Sequence, residues 1–206
     1  MFDEAFTKLE IEEIALILDV INKKVEGSIF DPLETTIMAI DIPFYSNHRF
    51  LDIADYATNP PLQRFAIQKT GTMDFVLLDW SYKIIQQLNT SVPISLTEEN
   101  VLEYVRFYFS HVKGRHGRFI VCETVDHIKW KDEPPEEIRK SINQAINPLE
   151  IIEKRKDDVY QVKAFMMLKD ALFQSDVYIE PNGNVTITNH EVLIENVPVL
   201  DSVVGQ

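Results

Sequence analysis

The stretch from Val159 to Val197, VYQVKAFMMLKDALFQSDVYIEPNGNVTITNHEVLIENV, decides the fold class. Its segments Val159–Lys169, Leu172–Glu180, Val185–Thr188 and Val192–Val197 alternate apolar and polar residues with the period of a strand. Asn182-Gly183 falls between two of them and is the strongest short hairpin signal in the chain. The spacing predicts an antiparallel meander, with Leu149–Glu153 as a further strand before it.

Upstream lies a second group of strands, at 36–45 (ending near Pro43), Arg49–Tyr56, Leu62–Lys69 and Met73–Asp79. Asn59-Pro60-Pro61 breaks it once, and Thr70-Gly71-Thr72 supplies a turn. Helices are expected before and between the two groups. Thr7-x-x-Glu10 has capping-box spacing, and Ile14, Leu18 and Ile21 follow at helical intervals, so a helix of about 9–26 should end at Gly27. Trp80–Leu88 reads as a short helix. Thr97 with two glutamates opens a helix of about 97–113, the most buried one, with Gly114 as its capping glycine. Pro134-Pro135 and Asn147-Pro148 bracket a helix of about 135–146. Phe119–Cys122 reads as a strand. Grouped strands, rather than strict alternation with helices, predict an α+β fold. Antiparallel sheet, including the C-terminal meander, packs against three to four helices. The 206 residues fit a single domain, 1–206, which can bury about 70 % of its unfolded surface. The Ser/Thr/Pro stretch 89–96 is the best place for a subdomain division.

Charge narrows the function classes. The net charge is −13, so nucleic acid and anionic membranes are disfavoured partners. The amino terminus carries acids where a signal peptide carries Lys or Arg, and no apolar run approaches the roughly 20 residues of a membrane span. A single cysteine, Cys122, excludes an internal disulfide. Together these predict a cytoplasmic protein. The meander has no Lys or Arg from Asp170 to Gln206. Lysine is the usual protection of an edge strand, so the last strand is a candidate contact for a homo-oligomer.

One segment runs against the acidic background. Between Tyr104 and Cys122 there are four bases, Arg106, Lys113, Arg115 and Arg118, and no acid. Its core is Lys113-Gly114-Arg115-His116-Gly117-Arg118. Glycines let backbone approach a ligand, guanidiniums offer paired donors to carboxylate or phosphate, and imidazole titrates near neutrality. Glu123, Asp126, His127 and Trp130 follow closely. The candidate ligand-binding residues are therefore Arg115, His116, Arg118, Lys113, Glu123 and His127. A second role is open to the same loop: cations beside a helix C-terminus stabilise it, and the arginines could simply pair with the surplus acids.

Other chemistries find no pattern. There is no His-Glu-x-x-His and no second cysteine for a metal, no Gly-x-Ser-x-Gly elbow, and no nucleotide-binding loop, so no cofactor is indicated. Cys122 in an apolar strand reads as a core residue. Gly114-x-x-Gly117 has the form of the loop that clamps RNA in KH domains, but there it joins two helices, and here a strand follows.

The runs PFYSNHRFLDIADY (Pro43–Tyr56), EYVRFYFSHVKGRHGRFIVCE (Glu103–Glu123) and KDALFQSDVYIEPNGNVTITNHEVLIENVPV (Lys169–Val199) resemble uncharacterised bacterial proteins of unknown function. The resemblance implies a bacterial cytoplasmic setting and no activity. The leading functional expectation is a non-catalytic cytoplasmic protein that binds a partner or small ligand. The alternative is an enzyme or ligand-binding domain acting on a small anionic molecule through the Lys113–Arg118 loop.

Overall fold

A computed structural model describes residue 2, residues 5–25 and residues 29–200. The fold is α+β, and the described residues form four α-helices and two antiparallel five-stranded sheets. The chain forms two compact units that divide between Asp79 and Trp80, so the 89–96 stretch lies inside the second. Among the described residues no helix is long and apolar enough to cross a membrane.

In the first unit, β1 (Thr7–Lys8), β2 (Thr35–Asp41), β3 (His48–Asp55), β4 (Leu62–Lys69) and β5 (Phe75–Leu77) lie side by side in chain order. Helix α1 (Ile11–Ile21) buries Ile14, Ile17, Leu18 and Ile21 against Ile37, Leu51, Ile53 and Ala66 of the sheet. The expected capping box is not formed. Thr7 and Lys8 instead pair with Ala39 and Met38, and Glu10 is the N-cap without a side-chain cap bond. The helix also ends before the expected residue 26. The Asn22 amide donates to the Phe30 carbonyl and accepts from the Phe30 N–H, both at 2.9 Å, which ties the chain back one turn past Ile21. Gly27, the expected stop, lies outside the described residues.

The second unit holds α2 (Tyr82–Ser91), α3 (Val101–His111), β6 (Ile120–Val121), α4 (Glu136–Ala145), β7 (Glu150–Lys154), β8 (Tyr160–Leu168), β9 (Ala171–Ile179) and β10 (Val185–Ile194). The meander runs β8-β9-β10, and β6 and β7 share the outer edge of β8. The hairpin at Asn182-Gly183 is present. Its loop is five residues, because only Gly183 takes a positive φ (+79°). The two last expected strands are one, β10, interrupted by a bulge between Thr188 and Glu191. As expected, β10 is the edge of its sheet, but the bulge breaks its flatness, which is itself edge protection.

Helix α3 buries Val101, Tyr104, Val105, Phe107, Phe109 and His111, more than any other helix. It starts four residues later than expected: Thr97 sits in the preceding turn, where Asn100 Oδ1 accepts its N–H, and Asn100 is the N-cap. The Tyr104 hydroxyl donates to the Gly183 carbonyl at 2.6 Å, so the helix and the β9–β10 hairpin are tied together. On the sheet face that carries Phe165 and Met167, Ile142 and Ile146 pack with Cys122 and Leu172.

Candidate functional site

The basic segment between α3 and β6 is placed by its two ends. Helix α3 does not end on Gly114. It ends at His111, followed by Val112 in extended conformation (φ −118°, ψ 132°), and the Lys113 N–H donates to the Trp80 carbonyl at 2.8 Å. Gly114 and Gly117 then bond to each other in both directions, at 2.9 and 3.2 Å, with Gly117 at φ +126°. The result is a tight two-residue tip, Arg115-His116. The capping-glycine role expected for Gly114 is thus replaced by hairpin closure. Extended Val112 leaves Gly114 too far from the last helical turn to cap it.

The six candidate residues separate. Lys113, Arg115 and His116 are exposed, and Arg115 and His116 have no side-chain partner among the described residues. Arg118, Glu123 and His127 are brought together. They line a cleft of about 250 Å³ with Arg106, Phe109 and Ser110. Those last three are one face of α3, at i, i+3 and i+4. Asp126 is on the surface, in an exposed ion pair with Arg139 at 2.7 Å.

The two cleft arginines live in opposite circumstances. Arg106 grips Glu123 with two bonds, Nε to Oε2 at 2.7 Å and Nη2 to Oε1 at 2.9 Å. Glu123 Oε1 also accepts the Leu149 N–H at 3.2 Å. The bonds from Arg106 hold the Glu123 carboxyl below its ordinary range, against the opposing effect of burial, so it stays ionised. Arg118 has no acid. Its guanidinium lies over the Trp80 ring, 4.5 Å from the centroid. Its Nε is enclosed without an acceptor, and the side chain makes no hydrogen bond or ion pair with the described residues. Burial disfavours its charged form, yet an arginine does not give up its proton. A desolvated cation without a counter-ion is costly unless something else supplies the negative charge.

Trp80 is the support under this arrangement. It sits at φ +66°, where a bulky side chain costs about 1–2 kcal/mol. Its carbonyl holds Lys113, and its ring stacks on His111 at 6.3 Å on one hand and under Arg118 on the other. His111 is buried, and its Nδ1–H donates to the Phe107 carbonyl at 2.8 Å. Desolvation pushes its imidazole down to about 4, so it is neutral at pH 7. His127 faces the cleft in a defined tautomer. Its Nδ1 accepts the Glu123 N–H at 3.2 Å, which leaves the proton on Nε2. The apolar wall is fixed too. Phe119 meets Phe109 edge-on (6.3 Å, 73°) and stacks on His190 (6.3 Å, 8°).

No family model matches the chain, and neither does any curated protein or solved structure.

Two other clefts differ in charge. The larger, about 370 Å³, contains Lys163, but Lys163 stands between Glu150 on β7 and Asp176 on β9 in the sheet register. The third, about 220 Å³ in the first unit, contains Arg49, which pairs with Glu13 and donates to Gln68. Of the three, the Arg118 cleft alone carries surplus positive charge.

Nucleophiles sit elsewhere. Cys122 is buried, and desolvation pushes its thiol up to about 11, so it is protonated at pH 7. Ser175 Oγ lies 3.0 Å from His190 Nδ1, a nucleophile-to-base distance that the sequence did not reveal. The β10 bulge creates it by turning His190 toward β9. Ser175 is 1 % exposed, so no carbonyl carbon can approach it unless the strands part. The pair ties down the bulge. Among the described residues no group of three His, Cys, Asp or Glu is placed to hold a metal ion.

Proposed function

We propose that this chain is a non-catalytic cytoplasmic binding protein, and that its second unit holds a small anionic ligand in the cleft under Arg118. The observation that carries this reading is the uncompensated guanidinium: half-buried, without an acid among the described residues, and seated over Trp80 in a chain of net charge −13. An acidic chain has acids to spare for structural pairing, and among the described residues it places one on Arg106 and none on Arg118. Binding fits the cleft better than catalysis. Its carboxylate is held by three hydrogen bonds and kept ionised, so it is a poor general base.

The test is Arg118→Met, measured by thermal unfolding with and without millimolar anions at pH 7. Apo stability should change by less than about 1 kcal/mol, because the lost cation–π contact, about 0.5–1 kcal/mol, is offset by relief of desolvation. Stabilisation by anions, which requires preferential binding to the native state, should disappear. An apo loss of several kcal/mol with an unchanged anion response would convert Arg118 into a structural residue and end the proposal.

A further inference from the structure

We infer that the ligand class of this cleft is a monocarboxylate carried on an aromatic body, of which benzoate is the simplest member. The inference rests on the anion-site reading above and deepens it. Charge balance sets the valence. Arg106 and Arg118 contribute two positive charges and Glu123 one negative, while the Nδ1 of His127 is occupied as an acceptor. The cleft therefore neutralises one negative charge. A second charge on the ligand, as on a phosphate monoester, would face a carboxylate that Arg106 and the Leu149 amide hold in place.

Shape sets the body. Arg118 lies over Trp80, 4.5 Å from the ring centroid, with Nε enclosed, so the donors that it offers are those of its two terminal nitrogens. Two parallel N–H groups in one plane match the two oxygens of a carboxylate. Beyond them are Phe109 and Phe119, held edge-to-face, with Phe119 backed by His190. A third ring entering beside them gains offset or edge contacts of about 0.5–1.5 kcal/mol beyond its burial. At about 250 Å³ the cleft lies just below the roughly 300–1,000 Å³ of sites for drug-sized molecules, a scale that suits one ring and its carboxylate.

The experiment is isothermal titration of the full chain at pH 7 with benzoate, cyclohexanecarboxylate, acetate and inorganic phosphate, repeated on Arg118→Met, Phe119→Leu and, as a control away from the cleft, Arg115→Gln. Benzoate should bind tightest. Arg118→Met should weaken it at least about tenfold. Phe119→Leu should bring benzoate toward acetate while leaving acetate unchanged, and Arg115→Gln should do nothing. If phosphate binds as tightly as benzoate and Arg118→Met abolishes both, the anion site stands and the aromatic monocarboxylate class is wrong. If acetate matches benzoate, the apolar wall plays no part and the class is again wrong. If no probe binds, or if Arg118→Met binds them as the parent does, both the class and the site reading fall.

Discussion

Arg106 and Arg118 line one cleft, twelve residues apart in the chain, and they are built for different ends. The Arg106 half is closed: a bidentate ion pair, a backbone amide on the same carboxylate, and side chains 21 % and 13 % exposed. The Arg118 half is open: an aromatic platform beneath, no acid among the described residues, and donors left for whatever enters. Composition is the same and context is opposite. A cation paired in a partly buried site holds the fold together, whereas a cation desolvated without a partner raises the energy of the empty protein and lowers that of the occupied one.

The largest effect that could break this comparison is at Arg106. Arg106→Met strands the Glu123 carboxylate, and loss of one member of a buried pair costs about 3–5 kcal/mol. The residual exposure of both side chains puts the expected loss at about 3 kcal/mol, read by urea unfolding. The double variant Arg106→Met with Glu123→Met should recover most of it, because no charge is then stranded. Acid behaviour must follow. Glu123 is held below its ordinary range chiefly by Arg106, so the stability it contributes is present above pH 4.5 and lost as pH falls through its lowered value. Arg106→Met should lack that limb. If it unfolds with the midpoint and acid limb of the parent, the two arginines are not different in kind.

The second effect comes from His111, which the Trp80 ring joins to the Arg118 half. It is neutral in the folded protein down to about pH 4, while an unfolded histidine takes up its proton near 6.5. The unfolded state therefore binds more protons across this window, and stability falls as pH drops from 6.5 to about 4. The group's contribution to that fall is about 3 kcal/mol. His111→Met should remove the slope between pH 6.5 and 4.5 by up to one proton, whatever its effect on the absolute midpoint. An unchanged slope would mean that His111 is hydrated and that its stacking on Trp80 is loose.

Much of this architecture is legible in the sequence, and the failures share a cause. Period-two alternation places β8, β9 and β10, and Asn182-Gly183 places their turn, because strand burial and positive φ are local demands. The ends of helices are not local. Thr7 forms the spacing of a capping box, but an open edge at Met38–Ala39 claims its backbone first. Gly114 stands where a capping glycine belongs, yet Trp80, 34 residues earlier, takes the Lys113 N–H and draws the chain out straight. The candidate site divides in the same way. A run of cations marks the region, and Glu123 and His127 fall in reach because the chain returns through β6 within a few residues. Which cation is compensated depends on Arg106 lying one helical face away and on Trp80 lying under Arg118. Neither is written in spacing. The Ser175–His190 pair is the extreme case, since only the bulge in β10 brings those residues together.

The smallest expected effect sharpens the comparison most. The sequence presents Arg115 and Arg118 as an equivalent pair, two guanidiniums on either side of His116-Gly117. The fold separates them: Arg118 is half-buried against Trp80, and Arg115 projects from a two-residue tip whose backbone is closed by Gly114 and Gly117 alone. Tip side chains that touch nothing contribute little, and exchange at such positions stays within about 0.5 kcal/mol. Arg115→Gln combined with His116→Gln should therefore leave the unfolding midpoint and any anion response as they are in the parent, while changing the net charge of the segment by one unit. Long-range attraction between exposed charges is screened beyond about 8–10 Å at ordinary salt, so a lost anion response at 0.15 M ionic strength cannot be blamed on the field of the tip. It would mean that the tip folds over the cleft when a ligand is present. The boundary between closed and open halves would then run through the loop rather than between the two arginines.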